Sequence, residues 1–335
     1  MMQLRLVIRR LSNRTSANTW RAGKLYYRHI LPREEDGVLI LQITPLRAMI
    51  GIALAMLSAT VSAVAIILVG RNSKEKNALT VSLIISLTGL IVILPFAAVL
   101  TDFSTVNIEG ILLFGGGGIL MPGLVRLFYY GGLRKLGPSV NSSVFSVYPI
   151  YSAFFAVLFL NELLTVPNWI GVAAIASGVI LIEISCRNNS CVNSSFKDWI
   201  FPVLGGLTYG SSAIIMKTAL NISNAPILGV AIANCFALIP YFVIMATRKT
   251  SRSNLSLRKD LRLFWIAGIG QAISWILSFY ALSIEAVSIV MPLLSLEPLF
   301  VILFSFLVLK QQENLSRKLA ASIAITVLGV ILIIT

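Results

Sequence analysis

Charge and histidine are what this sequence lacks. Only 12% of its 335 residues are charged, and a single histidine, His29, is present. Soluble domains carry about 25% charged residues, so this chain does not clothe an ordinary water-facing surface. Neither imidazole chemistry nor a cluster of His, Asp and Glu is available for a membrane hydrolase or a metal-dependent transferase. Cysteine is scarce as well. Cys186, Cys191 and Cys235 are too few for a disulfide framework. Cys186 and Cys191 flank one short loop, but that spacing without a nearby histidine makes a poor metal site and reads as two incidental thiols. The run Gly115–Gly118 sits inside an apolar stretch, with no Lys-Ser/Thr after it and no strand before it, so it is no phosphate cradle. No metal and no cofactor is expected.

What the chain does have is apolar sequence. Residues are 57% hydrophobic and mean hydropathy is +0.89. Ten runs approach the ~20 residues needed to cross a bilayer. Spans one to five are Ala48–Gly70, Ala78–Leu100, Gly110–Gly131, Ser139–Leu160 and Pro167–Ser185. Spans six to ten are Trp199–Leu220, Pro226–Ala246, Leu263–Ala281, Val287–Leu309 and Leu319–Ile334. Unpaired backbone is intolerable in hydrocarbon, and these runs lack the alternation of barrel strands, so each is expected to be a helix. The fold class is therefore all-α integral membrane, with ten transmembrane helices and the lipid bilayer as principal partner.

The apolar sequence repeats itself. Ser139–Pro149, SVNSSVFSVYP, aligns with Ser288–Pro298, SIVMPLLSLEP, and GVILI at Gly178–Ile182 returns at Gly329–Ile333. Each copy holds five spans, an odd number, so the second copy runs through the membrane inverted relative to the first. The expected organisation is a basic tail over residues 1–47, a first five-helix repeat over 48–185 and a second over 198–335.

Connections after the odd-numbered spans carry 16 Lys and Arg, whereas those after spans two, four, six and eight carry none and hold Asp102, Glu109 and Glu162. Basic loops stay in the cytoplasm, which places both chain ends outside. The first 47 residues oppose this with nine Lys and Arg. Three readings stand: a start at Met49, a genuine cytoplasmic arm that overrides the loops, or an organellar presequence, which the acidic Glu34-Glu35-Asp36 argues against. The tail's charge suits anionic lipid headgroups, and no nucleic-acid partner is read from it.

More specific wording closes each repeat. Tyr129-Tyr130 precedes a short basic turn, and the Ser-rich stretch Ser139–Ser146 leads to Pro149. Leu160-Asn161-Glu162 and a final helix marked by Gly171 and Gly178 follow. The second copy keeps Tyr280, Ser288, Glu297-Pro298, a displaced Glu313 and Gly329. From Met49 onward the chain resembles the EamA domain of the drug/metabolite transporter superfamily. That resemblance implies a ten-helix carrier of two EamA repeats, moving a small molecule by alternating access. Relatives of this kind are commonly placed with both ends in the cytoplasm, the reverse of what the loop charges here indicate.

Inverted-repeat carriers bind substrate near the bilayer midplane with polar groups that hydrocarbon would otherwise exclude. Span eight offers Gln271, Ser274, Trp275 and Ser278 at i, i+3, i+4, i+7, one helical face with an amide, two hydroxyls and an indole. Span four offers Asn141, Ser142 and Tyr148, and span six offers Ser211. Each of these also fits polar contact between packed helices. Glu297, in mid-span beside Pro298, is a candidate for coupling or amine binding, and equally for a structural Glu-Pro element. Arg126 is a second coupling candidate that also fits snorkelling to the interface. Glu162 reads as a helix-end element, and Gly206-x-x-x-Gly210 as a close helix contact. The expected activity is secondary transport, export or exchange, of a small polar or amphipathic metabolite in the cell membrane. A membrane enzyme or a non-transporting scaffold for lipid-linked ligands is the alternative. Whether the chain acts alone or as a homodimer is open.

Overall fold

Without water to satisfy the backbone, apolar runs close their hydrogen bonds internally. Every regular element of this computed structural model is accordingly helical. It describes residues 37–72, 78–136, 141, 144–185, 196–247, 257–309 and 317–334. The chain divides into residues 1–47, described only over the helical stretch 37–47, and residues 48–335. Ser142, Cys186, Cys191 and Glu313 lie outside the described residues.

The first repeat contains α1 (Gly37–Asn72), α2 (Ala78–Leu100), α3 (Ile108–Gly118), α4 (Val125–Leu136), α5 (Tyr148–Leu160) and α6 (Val166–Ser185). The second contains α7 (Ile200–Ile222), α8 (Pro226–Thr247), α9 (Leu257–Ile284), α10 (Val287–Leu294), α11 (Glu297–Leu309) and α12 (Arg317–Ile334). Among the described residues six stretches are long and apolar enough to cross a membrane: Leu46–Val69, Leu79–Leu100, Ile108–Tyr129, Lys197–Ile222, Pro226–Thr247 and Asp260–Ile284. The apolar helical stretches Tyr148–Leu160, Val166–Leu181, Val287–Val301 and Ala321–Ile334 fall within spans four, five, nine and ten.

Spans four and nine are each interrupted by a turn. Span nine divides into α10 and α11 at Ser295-Leu296, and span four turns at Ser146-Val147 before α5 begins. Proline follows the first residue of each second half, Pro149 after Tyr148 and Pro298 after Glu297. Its missing N–H and fixed φ suit a helix start and forbid a continuous ladder. Span three breaks too: Met121, at φ −136° and ψ 121°, interrupts the segment Ile119–Leu124 that joins α3 to α4. The Tyr241 hydroxyl donates to the Pro122 carbonyl at 2.7 Å, supplying that oxygen with a partner inside the bundle.

The two repeats interleave. α6 packs along α12, α2 along both α8 and α9, α3 and α5 against α7, and α5 against α10. Glycine sets the closest of these contacts. A Cβ on Gly171 would stand 2.8 Å from the Gly329 carbonyl oxygen, and one on Gly329 would stand 2.8 Å from that of Gly171. A Cβ on Gly210 would lie 3.0 Å from the Ser152 backbone nitrogen, so the expected close contact of this small-residue pair is the seam between α7 and α5. Gly118 meets the Ala233 backbone in the same way and Gly115 meets the Phe236 ring, both on α8, whereas Gly117 meets Met216 of α7.

Candidate functional site

The broken spans bring the two repeats together deep in the bundle. Tyr148 opens α5 and Glu297 opens α11, and the Glu297 carboxylate lies near enough to both Tyr148 and Tyr209 for its charge to act on them. The Ser62 hydroxyl of α1 hydrogen-bonds the same carboxyl group. Tyr148 and Tyr209 share a hydrogen bond, with their rings edge to face at 4.4 Å. Phe145 packs on both, at 5.6 Å from Tyr148 and 5.8 Å from Tyr209, and Tyr129 meets Phe145 edge-on at 5.1 Å. Four aromatic rings thus form a continuous chain from α4 to the two helix starts. The positive end of each half-helix dipole lies at this junction, which favours negative charge where Glu297 stands.

Beside the junction is a cavity of about 30 Å³, room for about one water molecule. α7 contributes Tyr209, Ser212, Ala213 and Met216, and α9 contributes Trp275, Ser278, Phe279 and Leu282. Each set follows i, i+3, i+4, i+7, one face of a helix. Met121 at the break in span three, with Met291 and Leu294 of α10, completes the lining. The Trp275 and Phe279 rings are nearly parallel, at 6.3 Å. Three flexible methionine side chains give the walls adaptability. Most small-molecule sites enclose some 300–1,000 Å³, so this cavity is smaller than such a site.

Trp275 and Ser278 are on this wall, while Tyr148 stands one ring behind it through Tyr209. Ser274 points elsewhere. Its hydroxyl donates to the Ser58 carbonyl at 3.0 Å, and the Ser58 hydroxyl donates to the Ser274 carbonyl at 2.8 Å, a reciprocal clasp between α9 and α1. The cavity face of α9 is therefore turned toward Phe279 and Leu282 relative to the expected stripe, because a buried serine gains more from a partner helix than from an apolar void. Gln271 and Glu297 fall outside the lining. Ser211 donates back to the Leu207 carbonyl of its own helix at 2.7 Å. Asn141 is fully buried and donates to the Tyr129 carbonyl at 3.0 Å. Arg126 reaches α2, donating to the Ser86 hydroxyl at 2.9 Å and toward the Ser82 carbonyl at 3.4 Å.

Tyr209, Met216 and Phe279 were not legible as site residues, since aromatic and thioether side chains at helical spacing look the same whether they face lipid, core or cavity. Tyr209-x-x-Ser212, with Met216 one turn beyond, was the one available signal.

The connections rich in acid meet at one end of the bundle. Asn107 N–H donates to the Ser223 hydroxyl at 2.8 Å, tying the connection before α3 to the one after α7. Asp102 accepts from the Ser104 hydroxyl at 2.6 Å and its N–H at 3.0 Å, which holds its carboxyl below the usual carboxylate range. Asn161, left-handed at φ 52°, reverses the chain after α5 and delivers Glu162 to the start of α10. There the Glu162 carboxylate accepts from Val287 N–H at 2.8 Å, Ser288 N–H at 3.0 Å and the Ser288 hydroxyl at 2.6 Å. The expectation of a helix-end element is met across the repeats: Glu162 caps a helix 125 residues away.

An interleaved bundle of apolar helices, interrupted around an internal chamber, is that of a multi-pass integral membrane protein. The EamA-like transporter family model matches residues 49–184 and again 199–335, so the chain belongs to that family as a two-repeat member. A solved crystal structure of a protein overlays with a TM-score of 0.66 at 14% identity, covering 87% of this chain and 97% of its own. At that identity it speaks to the fold alone. No curated protein matches the sequence.

Proposed function

We propose that this protein is a secondary transporter of the cell membrane, exporting or exchanging a small amphipathic metabolite by alternating access. In this reading all ten apolar helical segments cross the bilayer, spans four and nine as broken helices, and the two five-helix repeats run in opposite directions. The observation that carries it is the meeting of Tyr148 and Glu297, the starts of two half-helices from opposite repeats, beside the chamber walled by Tyr209, Trp275 and Ser278. Interrupted helices at the repeat interface are where carriers of this construction place substrate. The wall chemistry favours a ligand with an apolar or planar body against Trp275, Phe279 and the methionines, and a polar group reaching the serines. Glu297 is the carboxylate placed to bind a proton or a cationic group as the chamber fills.

A thermal-shift panel on the purified protein, followed by flux of each hit into proteoliposomes, tests this reading, because a bound ligand raises Tm. Saturable flux that Trp275→Ala weakens is expected. A ligand that binds yet is not moved in any imposed gradient would overturn transport in favour of a scaffold role.

A further inference from the structure

Lys217 lies near the C-terminal end of α7, one residue beyond the cavity-lining Met216. Its ammonium group donates to the Leu282 carbonyl at 2.6 Å and the Glu285 carbonyl at 2.8 Å, the C-terminal end of α9. Leu282 is itself part of the cavity wall. Two residues past that carbonyl end, Glu162 grips the first N–H groups of α10. The turn Glu285-Ala286 is therefore held from both sides, by a cation on the carbonyls before it and a carboxylate on the N–H groups after it. Glu162 and Glu285 also lie within electrostatic reach of Lys217. Gly51 of α1 packs against the Glu285 side chain and backs the turn.

We infer that Glu162 and Lys217 form a latch that closes the chamber toward the acidic end of the bundle, and that its release admits or discharges substrate there. The contacts adjoin the cavity wall at Leu282 and Met216, and they join the connection between α5 and α6 in the first repeat to α9 and α10 in the second. They consist of ionic hydrogen bonds to part-buried helix ends, whose N–H and carbonyl groups water can satisfy once the parts separate. Beyond them the connection is not covered by other parts of the protein: Leu163 is 97% exposed. A chamber too small for a metabolite must widen to take one, and the latch is the set of polar contacts between its wall and this end. The inference rests on the transport reading for its purpose, while the closure itself can be measured without any substrate.

The test uses the full chain with Cys186, Cys191 and Cys235 replaced by serine and Ser278→Cys as reporter inside the chamber. Modification by an impermeant maleimide is timed in right-side-out and in inverted vesicles, with and without Lys217→Met or Glu162→Gln. Release of the latch should speed labelling from the face bearing Glu162 by about tenfold or more and slow it from the opposite face, as expected when a minor open state becomes dominant. Lys217→Arg, which keeps the cation, should label like the parent. Unchanged rates would overturn the latch, and so would equal acceleration from both faces, which is the mark of a loosened bundle. If neither Lys217→Met nor Glu162→Gln gives monodisperse protein, the contacts are structural and the inference falls. Opposed labelling shifts in a protein that moves no substrate would sink the transport reading alone.

Discussion

Tyr148 and Glu297 occupy the same place in the two halves of the chain: each begins the second half of a broken helix, each precedes a proline, and the charge of one acts on the other. An internal repeat usually preserves side chains that pack. Here the equivalent position holds a phenol in one copy and a carboxylate in the other, so the junction is chemically asymmetric where the backbone is symmetric. That asymmetry sets one carboxyl group against a pair of phenols and the Ser62 hydroxyl.

Glu297→Gln should fold, because the amide can keep the Ser62 contact, and should abolish any pH dependence of flux. Transport assays across a pH series, on protein shown to be monodisperse, check this. A normal pH response in the variant would make the carboxylate structural.

Trp275→Ala should weaken ligand binding by about tenfold, equivalent to about 1.4 kcal/mol, because it removes the largest planar surface of the chamber. Trp275→Phe should lose less. Titration of the ligand-induced rise in Tm for the two variants measures the difference.

The Ser58–Ser274 clasp predicts a modest coupling. A double-mutant cycle with Ser58→Ala and Ser274→Ala should give about 0.6 kcal/mol, the average for hydrogen bonds between membrane helices. The coupling term reads the contact between the two hydroxyls, 3.0 Å apart, and single variants as stable as the parent in detergent unfolding would remove the hydroxyl–carbonyl bonds from the stabilising contacts.

Gly329→Val should destabilise the bundle by about 1–3 kcal/mol or more, since the new side chain meets the backbone of α6. Gly116→Ala is the control: a Cβ there has nothing within 4 Å and should be accepted. Thermal unfolding of both variants separates the effect of the contact from that of losing glycine.

Loop charge predicts orientation. A cysteine at Ser104, on the exposed acidic connection, should react with an impermeant reagent added to intact cells, and one within residues 248–256 should not. The reverse pattern would show that the basic tail sets the topology.

Much of this was decided by the sequence. Hydropathy alone forces helices, the bounds of span two coincide with those of α2, and the repeat aligns Tyr148 with Glu297. Gly171 and Gly329 were visible as punctuation in the final helices for the same reason: only glycine lets two backbones approach so closely, and the sequence records that requirement in the residue type. The tertiary structure decided which face of each helix looks inward. In a chain where lipid, core and chamber are all apolar, helical periodicity marks a stripe without saying what it faces. Ser274 turned to Ser58, Phe279 and Leu282 turned to the cavity, and Tyr209 joined a wall that no polar stripe announced. Glu162 shows the same division. Its type and position beside a loop announced a helix end, but its partner lies 125 residues away, and only the interleaving of the repeats brings the two together.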